Sequence, residues 1–95
     1  MEPTQKLTKA ILTFLERQTN KEPTTYQRKM VQFIAERFIE HQESSTMISL
    51  MIQGSPSYPS NRDYLTRALV IGAEFSRALL REQGNEDEEI GYDME

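Results

Sequence analysis

The chain has 95 residues, no cysteine, no tryptophan and a formal charge of −4 at pH 7. A chain of this length holds one small hydrophobic core, which excludes two-domain and multi-site enzymes. The lack of cysteine also excludes disulfides, thiolate nucleophiles and cysteine-based metal sites.

The N-terminal part of the chain predicts a first helix from about Gln5 to Gln18, with Thr4 placed to cap it. Its apolar residues recur at the three-and-four spacing of one helical face. The helix is expected to end near Asn20. One side of this helix therefore faces the core, and the other faces solvent.

A second helix is predicted after Pro23, with Thr24 or Thr25 as its cap and its end near His41. Its apolar residues cover more than half of the circumference at 100° per residue. We therefore expect other helices to bury this one on most sides.

The short apolar segment from Thr46 to Gln53 is compatible with either a helix or a β-strand. We predict a helix, capped by Ser44 or Ser45 and ended by Gly54, because a lone strand would have no pairing partner. A loop with two prolines follows, over residues 55–61.

The fourth and longest helix is predicted from a cap at Ser60 or Asn61 to about Gln83, with Gly84 ending it. Ala68, Gly72 and Ser76 form a row of small residues spaced by four in this helix. A glycine inside a helix costs about 1 kcal/mol relative to alanine, and close approach of another helix would offset that cost. The alternative is a tolerated glycine with no packing role. The predicted packing seam, within the subunit or across a dimer, consists of Leu65, Ala68, Leu69, Gly72, Phe75, Ser76 and Leu79.

Charge divides the chain into two parts. Residues 1–84 carry all 11 Lys and Arg against 9 Asp and Glu, a balance of +2, and we expect them to form one helical domain. Residues 85–95 carry a balance of −6 and are expected to form a disordered acidic tail. This tail either only solubilises the protein, or it imitates a nucleic-acid backbone, docks on a basic partner, or shields the positively charged remainder of the chain from polyanions. The acidic residues of the tail are Glu86, Asp87, Glu88, Glu89, Asp93 and Glu95.

The common catalytic and cofactor motifs are missing from the sequence. His41 is the single histidine, so no two-histidine zinc pattern is present, and the four glycines form no glycine-rich nucleotide loop. We therefore expect no metal, no cofactor and no enzymatic activity. A remote alternative places acid–base chemistry on His41 with Glu40 and Glu43, although a histidine at a helix end more often interacts with the helix dipole.

Nucleic-acid binding is the second alternative, because the second and third predicted helices resemble a helix-turn-helix in outline. The third helix, however, has no Arg or Lys to contact base edges. A small dimeric transcriptional regulator would instead use basic residues lined up by dimerisation, namely Arg28, Lys29, Arg62, Arg67, Arg77 and Arg81.

A role in protein interaction explains more of the sequence than the enzymatic and nucleic-acid alternatives do. The apolar arcs of the second and fourth helices exceed what a domain of this size covers by itself, which favours a homodimer. The candidate partner surface consists of Met47, Ile48, Met51, Arg67, Arg77 and Arg81.

The overall prediction is an all-α bundle of three to four helices with a long C-terminal helix and an acidic tail, acting as a homodimeric adaptor or inhibitor. No apolar stretch approaches the ~20 residues that span a bilayer, and no signal-peptide pattern is present. We therefore expect a cytoplasmic protein with no membrane contact, of a kind common among bacterial and phage accessory proteins.

Overall fold

The computed structural model describes residues 2–83, and the predictions on Gly84 and on the acidic tail lie outside them. The described residues form helices Pro3–Thr19 (α1), Thr25–Ile39 (α2), Ser45–Ile52 (α3) and Arg62–Gln83 (α4), with a 3₁₀ turn, Pro59–Asn61, before α4. Since residues 2–83 contain no β-strand, the predicted all-α class with a long C-terminal helix is confirmed.

Two of the predicted caps start their helices as expected. The Thr24 hydroxyl accepts a hydrogen bond from the Gln27 backbone N–H at 3.0 Å, and the Gln27 side chain accepts one from the Thr24 N–H at 2.9 Å. At the start of α3, the Ser44 hydroxyl accepts a hydrogen bond from the Met47 N–H at 3.2 Å. These bonds satisfy N–H groups that have no partner within their helices.

The predicted cap of α1 is wrong, whereas α4 does begin directly after Asn61, one of its two predicted cap residues. The helix α1 begins at Pro3, which needs no partner for a backbone N–H, so Thr4 lies inside the first turn. Its hydroxyl donates instead to a carboxylate oxygen of Glu40, at 3.1 Å. Ser60 and Asn61 belong to the 3₁₀ turn, and both side chains donate to the backbone carbonyl of Ser57.

The ends of α1 and α2 depend on residues with left-handed backbone conformations. Asn20 follows α1 with a φ of 58°, and its N–H donates to the carbonyl of Glu16 at 2.7 Å. Asparagine adopts this conformation more readily than most residues, which explains the stop near this position. The helix α2 ends at Ile39, two residues before the predicted end, and Gln42 then turns the chain with a φ of 51°.

The core lies between α1, α2 and α4. The Thr4–Glu40 hydrogen bond joins the start of α1 to the end of α2, so these two helices are antiparallel. The Gln27 side chain donates to Asn61 at 3.0 Å near the starts of α2 and α4, so those two run in the same direction. The largest fully buried side chains are Leu7, Ile11, Leu15, Val31, Ile34, Ile48, Ile52 and Leu65.

The short helix α3 packs against α2 and α4 and returns the chain toward the start of α2. Its entry is held by Arg37 and Glu43, and its exit by a 2.9 Å hydrogen bond from the Tyr26 hydroxyl to Ser55. Ile48 and Ile52 extend from α3 into the core, and the opposite side of α3 remains on the surface. Within residues 2–83, no helix is both long enough and apolar enough to cross a membrane.

Candidate protein interface

The predicted packing seam on α4 lies inside the subunit. A Cβ atom built on Gly72 would lie 2.8 Å from Cε2 of Phe38 and 3.4 Å from Cδ1 of Ile11, so this glycine marks the close approach of α4 to α2 and α1. Five of the seven predicted residues are buried, and the other two are half-buried. The buried residues are Leu65, Ala68, Leu69, Gly72 and Ser76; the half-buried ones are Phe75 and Leu79. A second copy of the chain therefore needs a different face.

The residues of the predicted partner surface are divided between the core and the surface. Met47 is 49% exposed and Met51 is half-buried, whereas Ile48 is fully buried and contributes only to the core. The three arginines of the prediction, Arg67, Arg77 and Arg81, are exposed on the outer side of α4. Of the predicted apolar set, Met47 is thus the residue that reaches solvent most fully.

Two further apolar side chains, one on α3 and one on α4, are exposed, and the predicted partner surface included neither. Leu50 is 61% exposed and Val70 of α4 is 58% exposed. Both line a groove of about 330 Å³ between α3 and α4, whose wall includes the buried Leu69. We call this surface the α3–α4 face; its exposed apolar residues are Leu50 and Val70, and its polar ones are Thr46, Ser49, Gln53 and Thr66.

The lining of the α3–α4 face has no charged side chain, although the exposed Arg67 and Glu74 lie within about one helical turn of Val70. No Asp, Glu, Lys, Arg or His occurs in residues 44–61, although charged residues make up 27% of the chain. The polar side chains around the groove are hydroxyls and an amide, which lose less hydration free energy on burial than ions do. The long stretch without charge is a sequence signal that could have identified the α3 side of this surface.

A second groove lies between α1 and α4 and has a different chemistry. The rings of Phe14 and Phe75 meet edge to face, with 6.3 Å between centroids, and Phe14 is 41% exposed. Lys6, Lys9 and Arg17 line the same groove, whose volume is about 420 Å³. Within residues 2–83, none of these three cations lies within ion-pair distance of a carboxylate. We call this surface the basic groove.

A wider depression of about 640 Å³ lies between α1 and α2. Its charged residues are of both signs, since Lys9 and Arg28 lie around Glu16, and most of the remaining lining is polar. This mixed chemistry selects neither an anionic nor an apolar ligand.

The residues offered for acid–base chemistry do not form a unit. Arg37 donates two hydrogen bonds to the Glu43 carboxylate, at 2.5 and 2.6 Å, and these bonds lower the pKa of Glu43. Glu40 accepts its hydrogen bond from Thr4, and His41 is exposed to solvent. Both carboxylates thus stabilise contacts between chain segments.

In the described part of the chain, no group of three or more His, Asp and Glu side chains is arranged to hold a metal ion. Comparison with protein-family models, curated proteins and solved structures finds no match for this chain. The α3–α4 face and the basic groove are therefore the candidate interaction surfaces of this protein.

Proposed function

We propose that this protein is a non-catalytic protein-interaction module, an adaptor or inhibitor, that acts as a homodimer joined through the α3–α4 face. The observation that carries the proposal is the exposure of Leu50 and Val70 along one groove whose lining has no charged side chain, with Met47 exposed on the same helix as Leu50. Single exposed apolar residues are common on protein surfaces, but a group of them rimmed by polar side chains is typical of an interface.

A second copy is the occupant that suits this face best. Two-fold pairing places the same patch of both copies in contact, so a patch with a single sign of charge would repel its own copy. No charged side chain lines the groove, so this repulsion is absent at its centre. Leu50 and Val70 lie on neighbouring helices, so each has apolar surface of the other copy within reach across the two-fold axis.

The size of the face predicts how tightly two copies bind. At 1.5 Å per residue, α4 is about 33 Å long and α3 about 12 Å, and with helix widths of about 10 Å their joint outline covers roughly 450 Å². Standard stable interfaces bury about 800 Å² per partner. We therefore expect a dimer with a dissociation constant in the micromolar range.

Sedimentation of the full chain between about 1 and 300 µM tests this proposal, because a micromolar dimer dissociates within that range. Leu50→Glu and Val70→Glu each place an unpaired charge in the interface and should weaken the dimer by about tenfold or more. Gln18→Glu adds the same charge on exposed α1 and should leave the dimer unchanged. A wild-type chain that remains monomeric at every concentration would contradict the homodimer.

The nucleic-acid alternative is tested separately. The outer strip of α4 carries Arg67, Arg77 and Arg81, but the exposed Asp63 and Glu74 lie among them, which weakens the field that a phosphate backbone would feel. We expect binding to duplex DNA no tighter than the non-specific range at about 50 and 200 mM salt. Tight, sequence-dependent binding would favour the transcriptional regulator over the interaction module.

A further inference from the structure

We propose that the acidic C-terminal segment, residues 84–95, docks in the basic groove of its own chain and covers Phe14 and Phe75. This inference is independent of the homodimer, since the basic groove lies between α1 and α4 and shares no residue with the α3–α4 face.

Charge complementarity is the first argument. The basic groove presents three cations, Lys6, Lys9 and Arg17, at spacings that place them along one side of α1. The acidic residue of α1, Glu16, lines the depression on the α2 side instead. Residues 84–95 hold six carboxylates and no cation, so their charge is opposite to that of the groove and twice as large.

The aromatic pair gives the groove an apolar part as well. Phe14 is 41% exposed although Phe75 covers one of its edges, so part of the ring still contacts solvent. The C-terminal segment interleaves its carboxylates with Ile90, Tyr92 and Met94. A segment with this alternation can pair its charges with the lysines and the arginine while its apolar side chains cover the phenylalanine.

The position where α4 ends puts the segment within reach. Since α1 runs antiparallel to α2, and α4 runs in the same direction as α2, the end of α4 lies beside the start of α1. Phe75 is about 12 Å from the end of α4, and Lys6 to Arg17 span about 17 Å at 1.5 Å per residue. Twelve residues can extend to about 40 Å, enough to turn and follow α1 over that length.

Because the acidic segment is covalently attached to α4, a weak contact is sufficient to keep it in the basic groove. Three partly screened ion pairs and one half-exposed ring would not hold a free peptide at cellular concentrations. A short tether raises the effective concentration to the millimolar range, at which such contacts become occupied. The segment then excludes other polyanions from the basic groove, including nucleic acid and acidic proteins.

Paramagnetic relaxation in the full chain tests the docking. Since the chain has no cysteine, Gly91→Cys provides a unique site for a nitroxide spin label. In a chain labelled with ¹⁵N, we expect amide signals from Lys9 to Phe14 and at Phe75 to broaden at about 50 mM salt. The broadening should disappear at about 500 mM salt, because screening weakens the attraction between exposed charges.

Two matched sets of substitutions identify the groove. Joint replacement of Lys6, Lys9 and Arg17 by Gln should abolish the broadening. Joint replacement of Arg28, Lys29 and Arg62 by Gln removes the same charge from other exposed positions and should preserve it. Equal broadening in the two variants, or none at the groove in the wild type, would overturn the proposal.

A mixed sample separates docking within one chain from docking between copies. Protein at natural isotope abundance that carries the nitroxide is mixed with ¹⁵N-labelled protein that has no nitroxide. We expect no broadening at the groove in this sample. Broadening of the ¹⁵N chain would overturn docking within one chain and assign the groove to the segment of a second copy, whatever the outcome for the α3–α4 face.

Discussion

Gly72 of α4 lies against the ring of Phe38 of α2, so closely that an added Cβ atom would be 2.8 Å from Cε2 and 3.0 Å from Cδ2. The ring is 5% exposed and is therefore held by its own neighbours in the core. This contact lets α1, α2 and α4 come together at one level of the bundle, because Ile11 lies 3.4 Å from the same added atom. It also explains why the chain accepts a glycine inside its longest helix.

The first prediction concerns this contact. Gly72→Leu should lower the free energy of unfolding by about 1 to 3 kcal/mol, because the larger side chain displaces Phe38 and Ile11. Gly72→Ala should cost less, since the gain in helix propensity, about 1 kcal/mol, offsets part of the overlap. Urea denaturation measures both values.

Gly54 supplies the control for this experiment. A Cβ atom there would lie 3.7 Å from the Met51 carbonyl oxygen, an ordinary contact, and the φ of Gly54 is not positive. Gly54→Ala should therefore leave stability unchanged or raise it slightly. If Gly72→Leu unfolds at the same urea concentration as the wild type, the packing account of Gly72 is wrong.

The second prediction tests the capping box at the start of α2. Thr24→Ala removes the acceptor of the Gln27 N–H bond and should cost about 1 kcal/mol of stability. Thr25→Ala changes the neighbouring exposed threonine, which caps nothing, and serves as the control. Equal losses in thermal denaturation would show that the Thr24 hydroxyl has no special role.

The sequence predicted the helices better than the surface because the two depend on different information. Helical periodicity and Thr24 are local features, and each corresponds to an observed element. The capping error at Thr4 arose because Pro3 is an equally good start, and in the structure the Thr4 hydroxyl donates to Glu40 at the end of α2 instead of capping α1. A local pattern does not contain that long-range contact.

The candidate interface likewise depends on long-range contacts that a local sequence pattern does not contain. Ile48 and Leu50 are both apolar residues of α3, and their residue types do not indicate which of them is buried. Ile48 is fully buried and Leu50 is 61% exposed, because α3 turns one side to α2 and α4. With only eight residues, α3 has too few positions for its apolar pattern to indicate which side is buried. The charge gap over residues 44–61 could have located the α3 side of the surface, but only the fold shows which of its residues are exposed.

The third prediction is that the stability of the fold depends on pH in the acidic range. Because Arg37 lowers the pKa of Glu43 in the folded chain, the pair contributes stability above the ordinary carboxyl pKa of 4.5. That contribution is lost as the pH falls through the lowered pKa of the folded state. Glu43→Gln should therefore be less stable than the wild type at pH 7, and the difference should shrink in acid.

Melting temperatures between about pH 2 and pH 7 give this comparison, since the affected group is a carboxyl. Glu22→Gln removes an exposed carboxylate between α1 and α2 and controls for the change in net charge. A constant difference between Glu43→Gln and the wild type across this range would show that the ion pair adds no stability.

The fourth prediction contrasts two tyrosine hydroxyls. The Tyr26 hydroxyl donates to Ser55 at 2.9 Å, whereas the buried Tyr64 hydroxyl has no hydrogen-bond partner among the described residues. Removing a satisfied hydroxyl loses a hydrogen bond, so Tyr26→Phe should cost about 1 kcal/mol. Removing an unsatisfied one relieves a desolvation penalty, so Tyr64→Phe should leave stability equal or raise it by about 1 kcal/mol.

The two variants should also separate at alkaline pH. Burial raises the pKa of Tyr64 above its ordinary value of 10.0, so above pH 10 this residue ionises more readily in the unfolded chain than in the folded one. The folded wild type is therefore progressively destabilised as the pH rises above that value, while Tyr64→Phe has no such group to ionise. The advantage of Tyr64→Phe in urea denaturation should consequently grow as the pH rises above about 10. If Tyr64→Phe instead loses as much stability at pH 7 as Tyr26→Phe, the Tyr64 hydroxyl is hydrogen-bonded in solution, and an ordered water would be the natural partner.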